Sequence, residues 1–191
     1  MPINSPDIFD SIGDAVVTGG GSGSDTFVGL TDTPANYTSS ADKIVVVNAG
    51  ANGLSFVDRT FFLTGGLEKN SITERLIPFN SFAESANYRD GTIFLIPEKC
   101  EVVSVQIITR DDFGTTPFDV LKVAKSDLGT SSAGATPLES ITLTNGLGGT
   151  TYTLNYSNTS TFDKNEIFAL RWEPATNPSY TEVTITFKAV A

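Results

Sequence analysis

The residue types able to do chemistry in this 191-residue chain are few, and most of them are acids. Histidine is absent and Cys100 is the single cysteine. That removes Ser/His and Cys/His nucleophile pairs, histidine-ligated zinc, and the usual general base for neutral pH. It also excludes an intrachain disulfide and a cysteine-based metal site. Carboxylates remain. Asp163, Glu166 and Glu173 are the nearest thing to a glycoside-hydrolysing pair, which needs two carboxylates on facing walls of a sugar groove with one pKa raised. Solvated loop acids are the preferred reading, because charged side chains mostly stay exposed. Asp111-Asp112, with Asp119 nearby in sequence, offers oxygen ligands to a hard cation, but no EF-hand-like ladder accompanies them. The Asp pair reads better as turn-forming. Trp172, Tyr152, Tyr156 and Tyr180 carry rings that could stack on sugars. Trp172 is in phase with Phe168 and Leu170 and is expected in the core. Tyr180, assigned to the Pro174–Pro178 loop, is the better exposed candidate. The glycine runs 19–23 and 146–149 lack the Gly-Lys-Ser/Thr ending and following helix of a phosphate loop, and read as linker and hairpin turn. No catalytic residue, cofactor or metal is expected.

The charge balance narrows the partners. The formal net charge is −10, which repels phosphate backbones and argues against nucleic acid. Residues 1–58 hold seven Asp against one Lys, a net of −6, while residues 59–191 hold fifteen acids against eleven bases, a net of −4. An acidic first third suits a basic partner surface as well as it suits solubility. No apolar run approaches the roughly 20 residues of a membrane span, so no membrane insertion is expected. The opening Met1-Pro2-Ile3-Asn4 lacks the basic start and apolar stretch of a secretory signal, so synthesis in the cytoplasm is the expectation.

Three kinds of element must position these residues. Ser5-Pro6-Asp7 reads as a helix start, with Ser as N-cap and Pro at the first helical position. Ile8, Phe9, Ile12, Ala15 and Val16 then form one apolar stripe over residues 6–17, and Gly19-Gly20-Gly21-Ser22-Gly23-Ser24 follows as a flexible linker. A helix of about twelve residues is marginal alone. It needs a partner surface, which marks it as an anchor.

Residues 27–57 form a second unit. Thr31-Asp32-Thr33-Pro34 is turn chemistry. Lys43-Ile44-Val45-Val46-Val47 reads as a strand, Asn48–Gly53 as a turn, and Leu54-Ser55-Phe56-Val57 as the returning strand. Thirty residues with one hairpin cannot keep both faces of Ile44–Val47 dry. Identical neighbours around a threefold axis would supply the missing cover.

From residue 59 onward the chain is predicted to be β. Phe61-Phe62-Leu63 looks like a strand and Gly65-Gly66 like a turn. Ser71 and Glu74 fit a capping box, but the alternation of Ile72, Glu74 and Leu76 favours a strand. Beyond Tyr88, seven β-rich runs follow: Thr92–Ile96, Val102–Thr109, Phe118–Ala124, Ile141–Thr144, Thr150–Tyr156, Ile167–Trp172 and Val183–Phe187. Turn residues separate them, and one or two more strands are expected within residues 60–79. The pattern argues an antiparallel, jelly-roll-like β-sandwich.

The middle unit resembles a known family. Leu30-Thr31-Asp32-Thr33-Pro34-Ala35-Asn36-Tyr37, then Lys43-Ile44-Val45-Val46-Val47-Asn48, then Gly53-Leu54-Ser55-Phe56 is similar to a module common in bacteriophage tail fibres. That module runs Leu-Thr-Asp-Thr-Pro-x-x-Tyr, a spacer, Lys with valines and Asn, then Gly-Leu-x-Phe. Ser39-Ser40-Ala41-Asp42 departs from the usual Gly-Gln-Ala-Gly spacer. Residues 72–191 more loosely resemble the distal β-sandwich of such fibres, through Ile93-Phe94-Leu95-Ile96-Pro97, the Val-rich strand after it, and Phe162 to Ile167.

The resemblance implies a structural virion appendage that is not an enzyme, assembled in the host cytoplasm and residing in the virion. Its expected parts are an N-terminal anchor and linker (1–28), a trimeric neck (29–58) and a β-sandwich head (59–191). Ile8, Phe9, Ile12 and Val16 would attach it to another virion protein. Leu30, Tyr37, Val45, Val47, Leu54 and Phe56 would pack around the threefold axis of a homotrimer. The head would face a host surface glycan, with Asp111, Asp112 and Tyr180 as receptor candidates. A tail fibre is the leading reading and a capsid head-fibre or decoration protein the alternative. A carbohydrate-active enzyme or sugar-binding module comes third.

Overall fold

β-Branched and aromatic runs become strands, and the strands pair antiparallel throughout. The computed structural model describes residues 40, 43–69, 75–79, 85–88, 91–157 and 160–190. The chain divides into two compact units, residues 1–57 and 58–191. The predicted helix of residues 6–17, the glycine linker, Leu30, Tyr37 and the Ser71–Glu74 segment lie outside the described residues.

In the first unit, β1 (Ile44–Val47) and β2 (Leu54–Val57) form the predicted hairpin. Ile44 pairs with Val57, Val45 with Phe56, Val46 with Ser55 and Val47 with Leu54. The six-residue connection closes with the Asn48 amide donating to Gly53 O at 2.9 Å and the Ala51 amide to Asn48 O at 2.9 Å. Directly opposed residues share a face. One face is therefore Val45, Val47, Leu54 and Phe56, all apolar, and the other is Ile44, Val46 and Val57 with Ser55. No strand residue of the hairpin is buried, and Val47 is 66% exposed.

The second unit holds β3 (Thr60–Lys69), β4 (Arg75–Leu76), β5 (Phe94–Leu95), β6 (Cys100–Thr109), β7 (Gly114–Val123), β8 (Glu139–Gly146), β9 (Tyr152–Asn155), β10 (Thr161–Phe162), β11 (Ile167–Trp172) and β12 (Ser179–Ala189). They make two five-stranded sheets. In the first, β6 is flanked by β12 and then β3 on one side, with β9 and β10 sharing its other edge. In the second, β11 is flanked by β7 and then β8, with β4 and β5 sharing its other edge.

Side-chain alternation explains where the core lies. Val105 and Ile107 of β6 and Val183, Ile185 and Phe187 of β12 join Phe118 and Val120 of β7 and Phe168, Leu170 and Trp172 of β11 in one buried cluster. Rings from the two sheets meet in it: Phe168 and Phe187 stand edge-on with centroids 5.2 Å apart. Such pairs contribute about 0.5–1.5 kcal/mol beyond their buried area.

β11 is buried at all six positions because its second face is covered as well. Ile167 and Ala169 pack with Leu76, Tyr88, Leu121 and Val123 in a separate cluster. Arg171, on that face and 8% exposed, donates from Nε (2.9 Å) and Nη2 (2.7 Å) to Asp119 Oδ2 and from Nη1 to Ser132 O at 2.7 Å. The guanidinium thus fastens the loop after β7 over the sheet.

The structure corrects a sequence expectation within β3. Gly65-Gly66 is not a turn but the middle of β3, paired with Val183 and Glu182. The glycines serve close approach instead. A Cβ on Gly65 would come within 2.5 Å of Pro78 O, and one on Gly66 within 2.7 Å of Thr181 O. Of the predicted strand over residues 72–79, the described residues 75–79 hold the two of β4, and β10 was not predicted. Pro117 sits inside β7 without breaking it, because pairing with β11 begins only at Phe118.

Removing one partner from the Arg171–Asp119 pair leaves a buried charge, so Asp119→Ala is expected to cost about 3–5 kcal/mol in urea unfolding. Replacing both, as Asp119→Leu with Arg171→Met, is expected to restore most of that loss. Cys100 is fully buried, and burial, then the Glu98 and Glu101 charges, push its thiol up to about 12. Ellman's reagent at pH 8 is therefore expected to react with the unfolded chain and not with the native one.

Candidate functional site

Three loops separated widely in sequence meet beyond the ends of β6, β8 and β12. The Asp111–Phe113 segment leaves β6, residues 147–151 leave β8, and residues 173–178 lead into β12. Asp111 Oδ2 accepts from the Ser179 amide at 3.1 Å and from the Ser179 hydroxyl. Asp112 Oδ1 accepts from the Gly148 amide at 2.8 Å, and the Thr176 hydroxyl donates to Asp112 O. Gly148 allows this closeness, because a Cβ there would lie 2.3 Å from Arg110 O. Beneath the loops Phe113 packs against Trp172 and edge-on against Tyr152, and the Leu147 amide donates to Tyr152 Oη at 2.9 Å.

Tyr180 stands at this junction. It is the second residue of β12 rather than a loop residue, with φ of 52° and 52% exposure. A left-handed backbone is uncommon for an aromatic residue. The kink lets the Arg110 amide donate to both Ser179 O (3.1 Å) and Tyr180 O (3.2 Å). The Arg110 guanidinium lies over the Tyr180 ring, 4.7 Å from its centroid, and fixes the ring's orientation. Tyr180 also borders a groove of about 720 Å³ lined by Gly66, Glu68, Pro78, Phe79 and Glu182 among others.

The three receptor candidates therefore converge, but with different roles. Asp111 and Asp112 spend their carboxylates on tying loops distant in sequence, a use that neither the turn nor the metal reading of the pair describes. The hydrogen bonds from Ser179 hold the Asp111 carboxyl below the usual carboxylate range. Tyr180 and Arg110 are what the junction turns outward. Arg110 was not singled out from the sequence, and nothing in its neighbours announces a stacking partner 70 residues away. Trp172 is 1% exposed and Tyr156 is buried, so neither presents a ring to solvent.

The other candidates separate. Asp119 is engaged by Arg171 and not by Asp111-Asp112. Among the described residues, no group of three His, Cys, Asp or Glu side chains is placed to hold a metal ion. Glu166 and Glu173 bracket the six residues of β11, so their backbones lie roughly 20 Å apart at strand rise. Glycosidase carboxylates stand about 5–10 Å apart. Glu166 also has a local role: it accepts from the Asp163 amide at 2.7 Å and pairs with Lys122. Partial burial pushes its carboxyl up, but Lys122 and the Asp163 amide outweigh that and bring it below the usual value. Among the described residues, no helix is long and apolar enough to cross a membrane. No protein-family model and no curated protein matches the chain.

The Asp111 contact gives a pH signature. A carboxyl whose folded pKa is depressed adds stability at pH above its unfolded value, near 3.9, and loses it as pH falls through the folded one. The Ser179 amide resonance is expected to titrate with a midpoint below about 3.9, and Asp111→Asn to abolish that titration. A midpoint at or above the ordinary value would contradict the contact.

Proposed function

We propose that this chain is a structural fibre protein of a virion, a phage tail fibre, working as a homotrimer. The observation that carries the proposal is the hairpin. β1 and β2 present apolar side chains on both faces, and Val45 and Val47 stand exposed on the face shared with Leu54 and Phe56. An isolated two-stranded hairpin is marginal in water, and seven apolar side chains on it need cover. Sister copies around a threefold axis provide that cover without further chain. The same residues carry the resemblance to the tail-fibre neck, which supports the reading from a second direction.

In this proposal residues 1–28 anchor the fibre to another virion protein through Ile8, Phe9, Ile12 and Val16. Residues 29–58 are the neck, with Leu30, Tyr37, Val45, Val47, Leu54 and Phe56 at the axis. The head is a jelly-roll-like sandwich of the two sheets. It offers the loop junction to a host surface glycan, with Tyr180 as the contacting ring and Asp111 and Asp112 holding the loops. Assembly takes place in the host cytoplasm and the finished protein resides in the particle.

Native mass spectrometry of the full chain is expected to give three times the monomer mass. Val47→Asp places a carboxylate in each copy's seam, and at about 1–3 kcal/mol per uncompensated polar group it is expected to weaken association roughly a hundredfold or more. The urea midpoint of the head should stay within error of the parent. A wild-type chain that remains monomeric at every concentration overturns the proposal. Deleting residues 1–24 should leave the trimer intact and abolish incorporation into particles, and the particle component captured by the intact N-terminus decides between tail and capsid.

A further inference from the structure

The outer faces of the two head sheets differ in a way that fold alone does not require. The β11 sheet is covered by chain on its far side, through the Leu76–Tyr88 cluster and the Arg171 loop clamp. The far side of the β6–β12–β3 sheet is left to solvent in its middle. Two transverse rows cross it at that level. Thr64 pairs with Thr184, which pairs with Gln106; Phe62 pairs with Thr186, which pairs with Ser104. Their neighbours along the strands, Leu63, Val105, Val183 and Ile185, point into the core, so these six point out. Thr64, Gln106 and Phe62 are exposed and the other three half-buried, with Phe62 at 65%.

None of the six carries a charge, on a chain whose formal net charge is −10. The charges stand at the margins. Glu182 and Glu68 lie at the end near Tyr180, and Lys188 lies at the other end, paired with Glu101 at 2.6 Å. Copies of one acidic chain repel each other wherever like charges meet, and juxtaposed like charges cost several kcal/mol across an interface. A face without charge is where such copies can approach. Its polar groups suit that contact too. Hydroxyls and the Gln amide both donate and accept, so copies of the face turned to a common threefold axis can satisfy one another, which a face of Lys or Glu cannot do to itself. Phe62 adds a large exposed apolar side chain of the kind enriched at interface centres.

We infer that the Phe62–Thr184–Gln106 face of the head is a contact surface for a second copy of this chain. The inference rests on the homotrimer proposed above, and it adds that the heads, and not only the necks, meet in the assembly.

Cysteine cross-linking of the full chain tests it, because the native Cys100 is buried and inert. Thr184→Cys is compared with Thr142→Cys, an exposed position on β8 of the other sheet. With a short bismaleimide, Thr184→Cys is expected to yield covalent oligomers on a denaturing gel, and Thr142→Cys is not. Adding Phe62→Glu to Thr184→Cys is expected to remove the cross-link. A wild-type trimer in which Thr184→Cys fails to cross-link refutes the head contact and leaves the trimer standing. A monomeric wild type defeats both. Equal cross-linking at both positions marks collision only and overturns the inference. So does protection of Thr184→Cys by added host polysaccharide with no cross-link, which would make the face a ligand surface.

Discussion

A two-stranded ribbon has two faces and no interior, and the eight strand residues of β1 and β2 put apolar groups on both. No rearrangement within the hairpin can change that. Turning one set of valines inward would require a third strand or a helix to receive them, and directly opposed residues already share each face. The constraint is one of layers: apolar area leaves water only when a second surface meets it. The head satisfies it internally, with two sheets sharing a core of Phe118, Phe168, Trp172, Ile185 and Phe187. The eight strand residues of β1 and β2 cannot do so among themselves, and that contrast underlies the proposed fibre reading.

The head also shows how a short chain closes its own surfaces. β11 alternates with period two, Phe168, Leu170 and Trp172 to one side and Ile167, Ala169 and Arg171 to the other. Both sides are covered, and the sequence there is nearly a continuous apolar run. The one charge in it, Arg171, is held by Asp119 and by the Ser132 carbonyl, so burial orders the covering loop instead of leaving a charge unmet. At the loop junction the Asp111 and Asp112 carboxylates act as loop ties, and Tyr180 faces outward.

Much of the fold was legible where side-chain period decides it. Ile167–Trp172 and Leu54–Val57 were read with their observed bounds, and Trp172 was placed in the core from its phase with Phe168 and Leu170. Where two physical uses compete for one residue type, the reading failed. Glycine pairs mark turns, but Gly65-Gly66 serves close backbone approach inside a strand, and only the tertiary position of Pro78 and Thr181 reveals this. How the candidate residues assemble was not legible. Asp111, Asp112 and Tyr180 were each picked as candidates, yet their meeting depends on loops 68 residues apart, and Arg110 became visible only through its stacking distance. Strand periodicity holds no information about which loop ends coincide.

The central claim is that the hairpin is kept dry by sister copies. Amide hydrogen exchange across Ile44–Val57 in the full chain, followed as a function of protein concentration, tests it most directly. Exchange should be slowed far beyond what a lone hairpin allows at concentrations where the chain is associated, and the slowing should vanish on dilution as the copies part. Free exchange through this segment at every concentration, or protection that ignores dilution in a chain of monomer mass, would contradict the account.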